Sequence, residues 1–182
     1  MKFTPISLNQ TRNDLAKQFK GVGAEIGVEQ GVFSEIICQN PSVKKLYAID
    51  AWKAYRGYHD HTSQTKLDRF YAISRERLAP YNCQIVRKFS LVAARDFMDA
   101  SLDFVYIDAN HAYQHVYEDL TVWSKKVKKG GVVSGHDYIR RKSQKQFYAV
   151  IQAVNNFVKA NQIQPLTVYR SDPLPSWCFI KP

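Results

Sequence analysis

The sequence has few cysteines and no long apolar run. Its three cysteines, Cys38, Cys83 and Cys178, are odd in number and far apart in the chain. This pattern argues against a disulfide framework and against a zinc ribbon with paired C-x-x-C ligands. The first ten residues, MKFTPISLNQ, do not resemble a signal peptide, and no later segment approaches membrane length. We therefore expect a soluble, cytoplasmic protein that has no membrane partner.

Acidic residues are scarce relative to basic ones. The 182 residues include 26 Lys and Arg against 16 Asp and Glu, which gives a formal net charge of +10. Such a charge attracts anionic substrates or polyanions but says nothing about the fold. The basic residues form two groups: Lys125, Lys126, Lys128 and Lys129, and then Arg140, Arg141, Lys142 and Lys145. Both groups are typical of a solvated helix end and loop, and a nucleic-acid-binding surface is the alternative.

Predicted helices alternate with predicted strands along the chain. The strands are Ala24–Val28, Leu46–Ile49, Cys83–Val86 and Phe104–Ile107; the helices are Asn9–Lys20, Val32–Cys38, Leu67–Leu78, Leu91–Phe97, Val116–Val127 and Phe147–Val158. This alternation predicts an α/β fold with a mostly parallel sheet and helices on both faces. Two short strands near the end, Leu166–Tyr169 and Trp177–Ile180, predict an antiparallel hairpin. The length favours one domain, residues 1–182.

The stretch from Leu102 to Tyr138 carries reactive side chains at two strand ends. Its first strand ends on Asp108, and after a helix and a Gly130-Gly131 break a short strand ends on His136 and Asp137. Ligands of open parallel sheets bind at the carboxyl ends of the strands. This stretch is therefore the first candidate for chemistry.

The glycine fingerprint of dinucleotide-binding proteins is missing. A G-x-G-x-x-G turn does not follow the first predicted strand, which weakens an NAD-binding interpretation. The chain has Glu25-Ile26-Gly27-Val28-Glu29-Gln30-Gly31 instead, an E-x-G-x-x-x-G turn. Asp50 ends the next strand about 20 residues later, where nucleotide-binding units place the acid that holds the ribose hydroxyls.

These motifs resemble those of the class I S-adenosylmethionine-dependent methyltransferases. AEIGVEQG is similar to the first glycine motif of that family, and YAIDAW to its second. LDFVYIDANHAYQHVYEDL and KKGGVVSGHDY resemble, more narrowly, small domains related to macrocin-type sugar O-methyltransferases. The resemblance covers nearly the whole chain. It implies a three-layer Rossmann-like methyltransferase fold in which one strand of the C-terminal hairpin runs antiparallel.

The resemblance also implies a binding site for S-adenosylmethionine. Gly27 and Gly31 would allow the methionyl and ribose groups to approach the backbone, Asp50 would accept hydrogen bonds from the ribose, and Ser90 would contact the adenine. Trp52 is placed to cover the purine. The cofactor-binding residues expected by resemblance are Glu25, Gly27, Gly31, Asp50, Ala51, Trp52, Ser90 and Asp108.

Methyl transfer to a hydroxyl group requires alignment of the acceptor and removal of its proton. Asp108 is the leading catalytic candidate, alone or through a metal, and its alternative role is to close a turn. The metal-dependent relatives have two acidic or amide residues at the positions of His136 and Asp137. Together with the aspartate at the position of Asp108, these residues bind a divalent cation such as magnesium. Because magnesium prefers oxygen ligands, His136 indicates either manganese, iron or zinc, or no metal with His136 as general base.

His111 belongs to an N-H-x-Y turn and is a second candidate base or substrate contact. The polar segment 52–65, which includes Tyr55, Tyr58, His59 and His61, is predicted to be a loop or lid. The leading hypothesis is a methyltransferase acting on a small hydroxylated acceptor, such as a sugar or secondary metabolite. The alternatives are an RNA or nucleotide methyltransferase that uses the basic groups, and a non-catalytic binding protein on the same fold.

Overall fold

The computed structural model describes residues 4–55, 63–139 and 145–182, with the backbone alone for 145–148. The strands are β1 (Ile6–Leu8), β2 (Gly21–Ile26), β3 (Val43–Asp50), β4 (Cys83–Arg87), β5 (Leu102–Ile107), β6 (Val127–Gly135), β7 (Thr167–Tyr169) and β8 (Ser176–Ile180). The helices are α1 (Arg12–Ala16), α2 (Val32–Gln39), α3 (Gln64–Leu78), α4 (Ser90–Ala93), α5 (Tyr113–Lys126) and α6 (Lys145–Ala160), and a 3₁₀ turn covers Ala94–Asp96.

The strands form one eight-stranded sheet in the order β1-β7-β8-β6-β5-β2-β3-β4. Every neighbouring pair is parallel except the two that involve β8, which runs antiparallel to β6 and β7. The prediction of a mostly parallel sheet with one reversed strand near the C-terminus is confirmed. Among the described residues, no helix has the length and apolarity needed to cross a membrane.

Helices cover both faces of the sheet, as predicted. The side chains of β5 alternate between the two faces, as the pleat of a strand requires. Phe104 and Tyr106 pack in the cluster that contains α1 and α2, whereas Val105 and Ile107 pack in the cluster that contains α5 and α6. The central strands are therefore buried on both faces, and their carboxyl ends remain as the place where a ligand can reach them.

Several element bounds differ from the predictions, and in β2 and β6 the difference involves glycines that lie inside a strand. Gly21 and Gly23 lie within β2 rather than before it, and a Cβ at Gly23 would lie 2.3 Å from the ring of Phe104. Gly130 and Gly131 lie within β6 and do not break it. The Gly130 N–H donates to the carbonyl of Lys181, just beyond β8, and the Lys181 N–H donates to the Gly131 carbonyl. The prediction also missed β1 and made α1 too long.

Gly27 brings the turn after β2 against the end of β5. Its φ is 90°, in the left-handed region, and its N–H donates to the Ile49 carbonyl at 2.9 Å. The Asp108 N–H donates to the Ile26 carbonyl at 2.7 Å. A Cβ at Gly27 would lie only 2.0 Å from the carbonyl oxygen of Asp108. Glycine is therefore required at this position by both backbone conformation and space.

We expect Gly27→Ala to destabilise the fold far more than Gly130→Ala. Gly130 has a similar φ, 77°, but a Cβ there meets nothing within 4 Å. The control should lose about 1–2 kcal/mol for the left-handed conformation. Gly27→Ala should lose at least ~2 kcal/mol more, because backbone must move to relieve the contact. Urea unfolding measures both values, and equal losses would contradict the proposed contact.

Candidate active site

A cavity of about 530 Å³ opens at the carboxyl ends of the central parallel strands. Segments that follow β2, β3, β4 and β5 form its walls, together with part of α5 and Arg12 of α1. The residues predicted from the sequence that line it are Glu25, Gly27, Asp50, Ala51, Ser90, Asp108 and His111. The structure thus brings most of the predicted cofactor residues around one space.

Glu25 lies in the cavity wall formed by β2. Its carboxyl group is buried and accepts a hydrogen bond from the Ser34 hydroxyl of α2. Burial raises the pKa of Glu25 well above its usual value, although the hydrogen bond from Ser34 opposes this shift. The Glu25 carboxyl group therefore holds a proton more readily than an exposed glutamate does, and in its protonated form it can both donate and accept hydrogen bonds.

Asp50 ends β3 and fastens the turn that follows β2. Its Oδ2 accepts hydrogen bonds from the backbone N–H groups of Val28 and Glu29, both at 3.0 Å. Its Oδ1 accepts one from the Trp52 N–H at 2.8 Å. A carboxylate offers about four acceptor positions, so one position is left for a ligand hydroxyl. Ala51 lines the cavity beside it.

Gly31 and Trp52, both predicted to contact the cofactor, do not line the cavity. Gly31 begins α2 with a φ of 76°, and a Cβ there would lie 3.3 Å from Leu78. Its missing side chain therefore serves the packing of α2 against α3. Trp52 is fully buried; its indole N–H donates to the Glu29 carbonyl at 2.8 Å and its ring lies 4.9 Å from Tyr71. Trp52 thus supports the turn instead of covering a purine.

Ser90 lines the cavity and hydrogen-bonds Asp119 of α5, which the sequence reasoning missed. The Ser90 hydroxyl donates to Asp119 and accepts a 2.8 Å hydrogen bond from the Trp123 indole N–H. Asp119 is 4% exposed, and burial raises its pKa to about 7 against the opposing effect of Ser90. The spacing of Asp119 in the sequence could have identified it. Asp119 falls on the apolar helix face of Val116 and Trp123, where burying a carboxylate is costly.

Apolar side chains surround the same end of the cavity. Phe89 and Leu91 line it while remaining 41% and 38% exposed. The Tyr55 ring lies 5.5 Å from that of Phe89, and the Tyr55 hydroxyl accepts a 2.9 Å hydrogen bond from Asn110. Such a wall suits a flat aromatic ligand. Within the predicted lid, residues 56–62, which include Tyr58, His59 and His61, lie outside the described residues.

Asp108, His111, His136 and Asp137 meet where β5 and β6 end. His111 Nε2 lies 2.5 Å from Asp137 Oδ2 and 3.9 Å from Asp108 Oδ1. His136 Nδ1 lies 3.6 Å from Asp108 Oδ2 and 3.4 Å from Asp137 Oδ1. The two carboxylates and two imidazoles therefore alternate around a small space, as the sequence predicted for adjacent strand ends.

These four groups shift each other's protonation. Burial would raise the pKa of Asp137, but hydrogen bonds from His111 and His136 hold it well below its usual value. Burial would lower the pKa of His111, but Asp108 and Asp137 raise it to about 10. The pKa of His136 is also raised, because Asp137 and Asp108 outweigh its burial. The two aspartates thus stabilise the protonated form of both imidazoles relative to that of a free histidine side chain.

A metal ion fits a different set of ligands from the one predicted. The donor atoms of Asp108, His111 and Asp137 lie within 4.8 Å of one another, so His111 takes the place predicted for His136. Asp137 Oδ1 is buried and makes no hydrogen bond of regular geometry among the described residues, although His136 Nδ1 lies 3.4 Å from it. Two carboxylates and one imidazole suit manganese, iron or zinc better than magnesium. These residues fit such an ion once the imidazole is deprotonated.

The first basic group is partly neutralised by neighbouring acids. Lys126 Nζ lies 2.8 Å from Asp99, and Lys128 Nζ lies 2.7 Å from Asp103. The side chains of residues 140–145, which hold the second group, lie outside the described part of the chain. The described basic residues therefore act at least partly as ion-pair partners at the end of α5.

The raised pKa of Asp119 predicts a pH dependence of stability. Because its pKa rises from 3.8 to about 7 on folding, the folded state holds the proton more tightly. The free energy of unfolding should therefore fall by on the order of 1 kcal/mol per pH unit as the pH rises from about 4 to about 7. Asp119→Asn should remove this slope, whereas the exposed control Glu76→Gln should keep it. Unfolding free energies measured across that range with parallel slopes for all three proteins would refute the shift.

Solved structures and one curated sequence are similar to this chain. A Streptococcus mutans protein described as a methyltransferase, solved with S-adenosylhomocysteine, has a TM-score of 0.67 at 14% identity, covering 94% of this chain and 96% of its own. An O-methyltransferase from Bacillus cereus, also with S-adenosylhomocysteine, has a TM-score of 0.66 at 12% identity and covers 93% and 80%. At these identities the likeness shows the fold. An uncharacterised protein of Acanthamoeba polyphaga mimivirus is 26% identical over 150 residues, which is 80% of this chain and 63% of that protein.

A family model described as a methyltransferase domain matches residues 24–138. The match begins in β2 and ends just after Asp137, so it includes the Gly27 turn, Asp50 and Asp108. It therefore contains the segments that form most of the cavity wall, and it covers more than half of the chain. This chain belongs to the methyltransferase-domain family and has its α/β Rossmann-like fold.

Proposed function

We propose that this chain is a cytoplasmic, single-domain enzyme that uses S-adenosylmethionine to methylate a hydroxyl group of a small acceptor, such as a sugar or secondary metabolite. One observation carries the proposal: a single cavity brings together Gly27, Asp50 and Asp108. Family membership supports methyl transfer, and the ligands of the two bacterial structures support the cofactor. Three free cysteines agree with a reducing compartment.

The chemical character of the cavity changes along its length and suits S-adenosylmethionine in one orientation. Apolar side chains near Phe89, with the Ser90–Asp119 pair, provide a slot and polar contacts for adenine. Asp50 has an acceptor position for a ribose hydroxyl, and the turn at Gly27 leaves space for the methionyl group. When bound, the cofactor supplies a methyl group on a positively charged sulfur. Its reactive end would lie next to Asp108.

Asp108 is the residue that we assign to proton removal from the acceptor hydroxyl. It lines the cavity at the end of β5, and its carboxylate lies 3.6 Å from His136 and 3.9 Å from His111. Asp108 and Asp137 raise the pKa of both imidazoles and so stabilise a proton on either ring, which favours the carboxylate over the imidazoles as the general base without a metal. The imidazoles hold Asp137 ionised and orient Asp108, which is left to accept the proton.

An oxygen atom of a small molecule is the acceptor that the observations favour. The Bacillus cereus neighbour is named as an O-methyltransferase, and the N-H-x-Y and S-G-H-D-Y segments resemble those of macrocin-type sugar O-methyltransferases. Two lysines of the first basic group are already ion-paired, which weakens the case for an RNA acceptor. A panel of sugars, phenols and a short RNA, tested with labelled cofactor, would identify the acceptor class.

Binding of S-adenosylhomocysteine tests the proposal, and two variants separate the roles of two acids. We expect calorimetry to detect binding to the wild-type chain, and Asp50→Ala to weaken it about tenfold, because a charged hydrogen-bond acceptor is lost. Asp108→Asn should keep binding but lose methyl transfer with every acceptor that the wild type uses. Binding of NAD without any binding of S-adenosylhomocysteine would exclude the proposal.

Metal titration tests whether Asp108, His111 and Asp137 hold an ion. After treatment with a chelator, manganese or zinc should raise the Tm by several degrees and magnesium by less, because an imidazole is among the ligands. His111→Gln should abolish the shift, and the exposed control His115→Gln should retain it. An unchanged Tm with every metal would remove the ion from the site and leave acid–base chemistry without a metal.

A further inference from the structure

Arg12 reaches the cavity from the short helix α1. Residues from both the N-terminal and the C-terminal part of the chain hold this helix in place. Thr11 caps α1 and exchanges hydrogen bonds with Asp14 in a capping box. The backbone N–H of Arg12 donates a 2.6 Å hydrogen bond to Asp172, in the loop between β7 and β8. The backbone position of Arg12 is therefore fixed by the fold, although its helix is only five residues long.

The guanidinium of Arg12 has no anionic partner in the part of the chain that the structure describes. It is half-buried, lines the cavity and lies 4.9 Å from the centre of the Phe33 ring. None of the described ion pairs includes it. The Glu25 carboxyl, which lines the same cavity, accepts from Ser34 instead.

The surroundings place Arg12 at the reactive end of the cavity. The guanidinium lies over the Phe33 ring, which is 4.4 Å from the ring of Tyr106 on β5. The Tyr106 ring in turn lies 6.5 Å from the imidazole of His136. Ser90 and Asp119, by contrast, belong to the end proposed for adenine. A guanidinium over an aromatic ring keeps its five N–H donors directed sideways, in a fork that matches carboxylate and phosphate.

We infer that Arg12 binds a carboxylate or phosphate group of a ligand in this cavity. That anion has two possible sources, the methionyl carboxylate of the cofactor and an anionic group on the acceptor. The inference rests on the proposed function for the first source, and it narrows the acceptor to an anionic molecule for the second. Lysine cannot replace Arg12 fully, because an ammonium group lacks the planar fork.

Two adenosine ligands separate the sources. S-adenosylhomocysteine carries the amino-acid carboxylate, and 5′-methylthioadenosine has the same adenosine and sulfur without it. We expect Arg12→Gln to weaken S-adenosylhomocysteine about ten- to a hundredfold and to leave 5′-methylthioadenosine unchanged, if the cofactor supplies the anion. Arg12→Lys should fall between Arg12→Gln and the wild type. Arg95→Gln, an exposed arginine outside the cavity, removes the same charge and should change neither affinity.

A second titration addresses the acceptor. If both adenosine ligands bind Arg12→Gln normally, inorganic phosphate or acetate should bind the wild-type complex with S-adenosylhomocysteine and bind the variant at least tenfold more weakly. Equal weakening of both adenosine ligands, or no effect of Arg12→Gln on any ligand, would overturn the inference. Failure of S-adenosylhomocysteine to bind the wild type would instead contradict the proposed function, and the phosphate titration of the free protein would still test Arg12.

Discussion

The contact between Gly27 and the backbone of Asp108 is the constraint on which the site depends. Because the Gly27 position lacks a Cβ, the turn after β2 lies directly against the end of β5. Asp50 then fastens the same turn from β3 by accepting two of its backbone N–H groups. One close approach thus unites three strand ends, and it places the turn at Gly27 beside the carboxylate to which we assign proton removal, Asp108.

The cluster at the ends of β5 and β6 is better explained by chemistry than by stability. Ionising a buried carboxylate next to buried imidazoles has a large desolvation cost, which good geometry only offsets. Well-packed apolar side chains could fill the same space without this desolvation cost. The short distance between His111 and Asp137, and the access of Asp108 to the cavity, agree with the roles that we propose for these charges in methyl transfer or metal binding.

Local patterns in the sequence predicted the elements, whereas long-range packing decided the remaining details. Strand-end acids such as Asp50 and Asp108 were predictable, because apolar runs that end on carboxylates mark the binding edge of a parallel sheet. The inward direction of Trp52 was not, since an aromatic residue after a strand can cover a ligand or enter the core. The exchange of His111 for His136 in the proposed metal site depends on the geometry of a turn. Arg12 lies at the cavity in a helix whose contacts include a hydrogen bond to Asp172, which is far along the chain.

A crystal structure of the chain with S-adenosylhomocysteine would test the central claim most directly, because it shows which part of the ligand meets which strand end. We predict the adenine beside Phe89 and within hydrogen-bond distance of Asp119, the ribose against Asp50, and the sulfur next to the contact of Gly27 with Asp108. A ligand bound elsewhere, or bound with its adenine at the Asp108 end, would contradict the account.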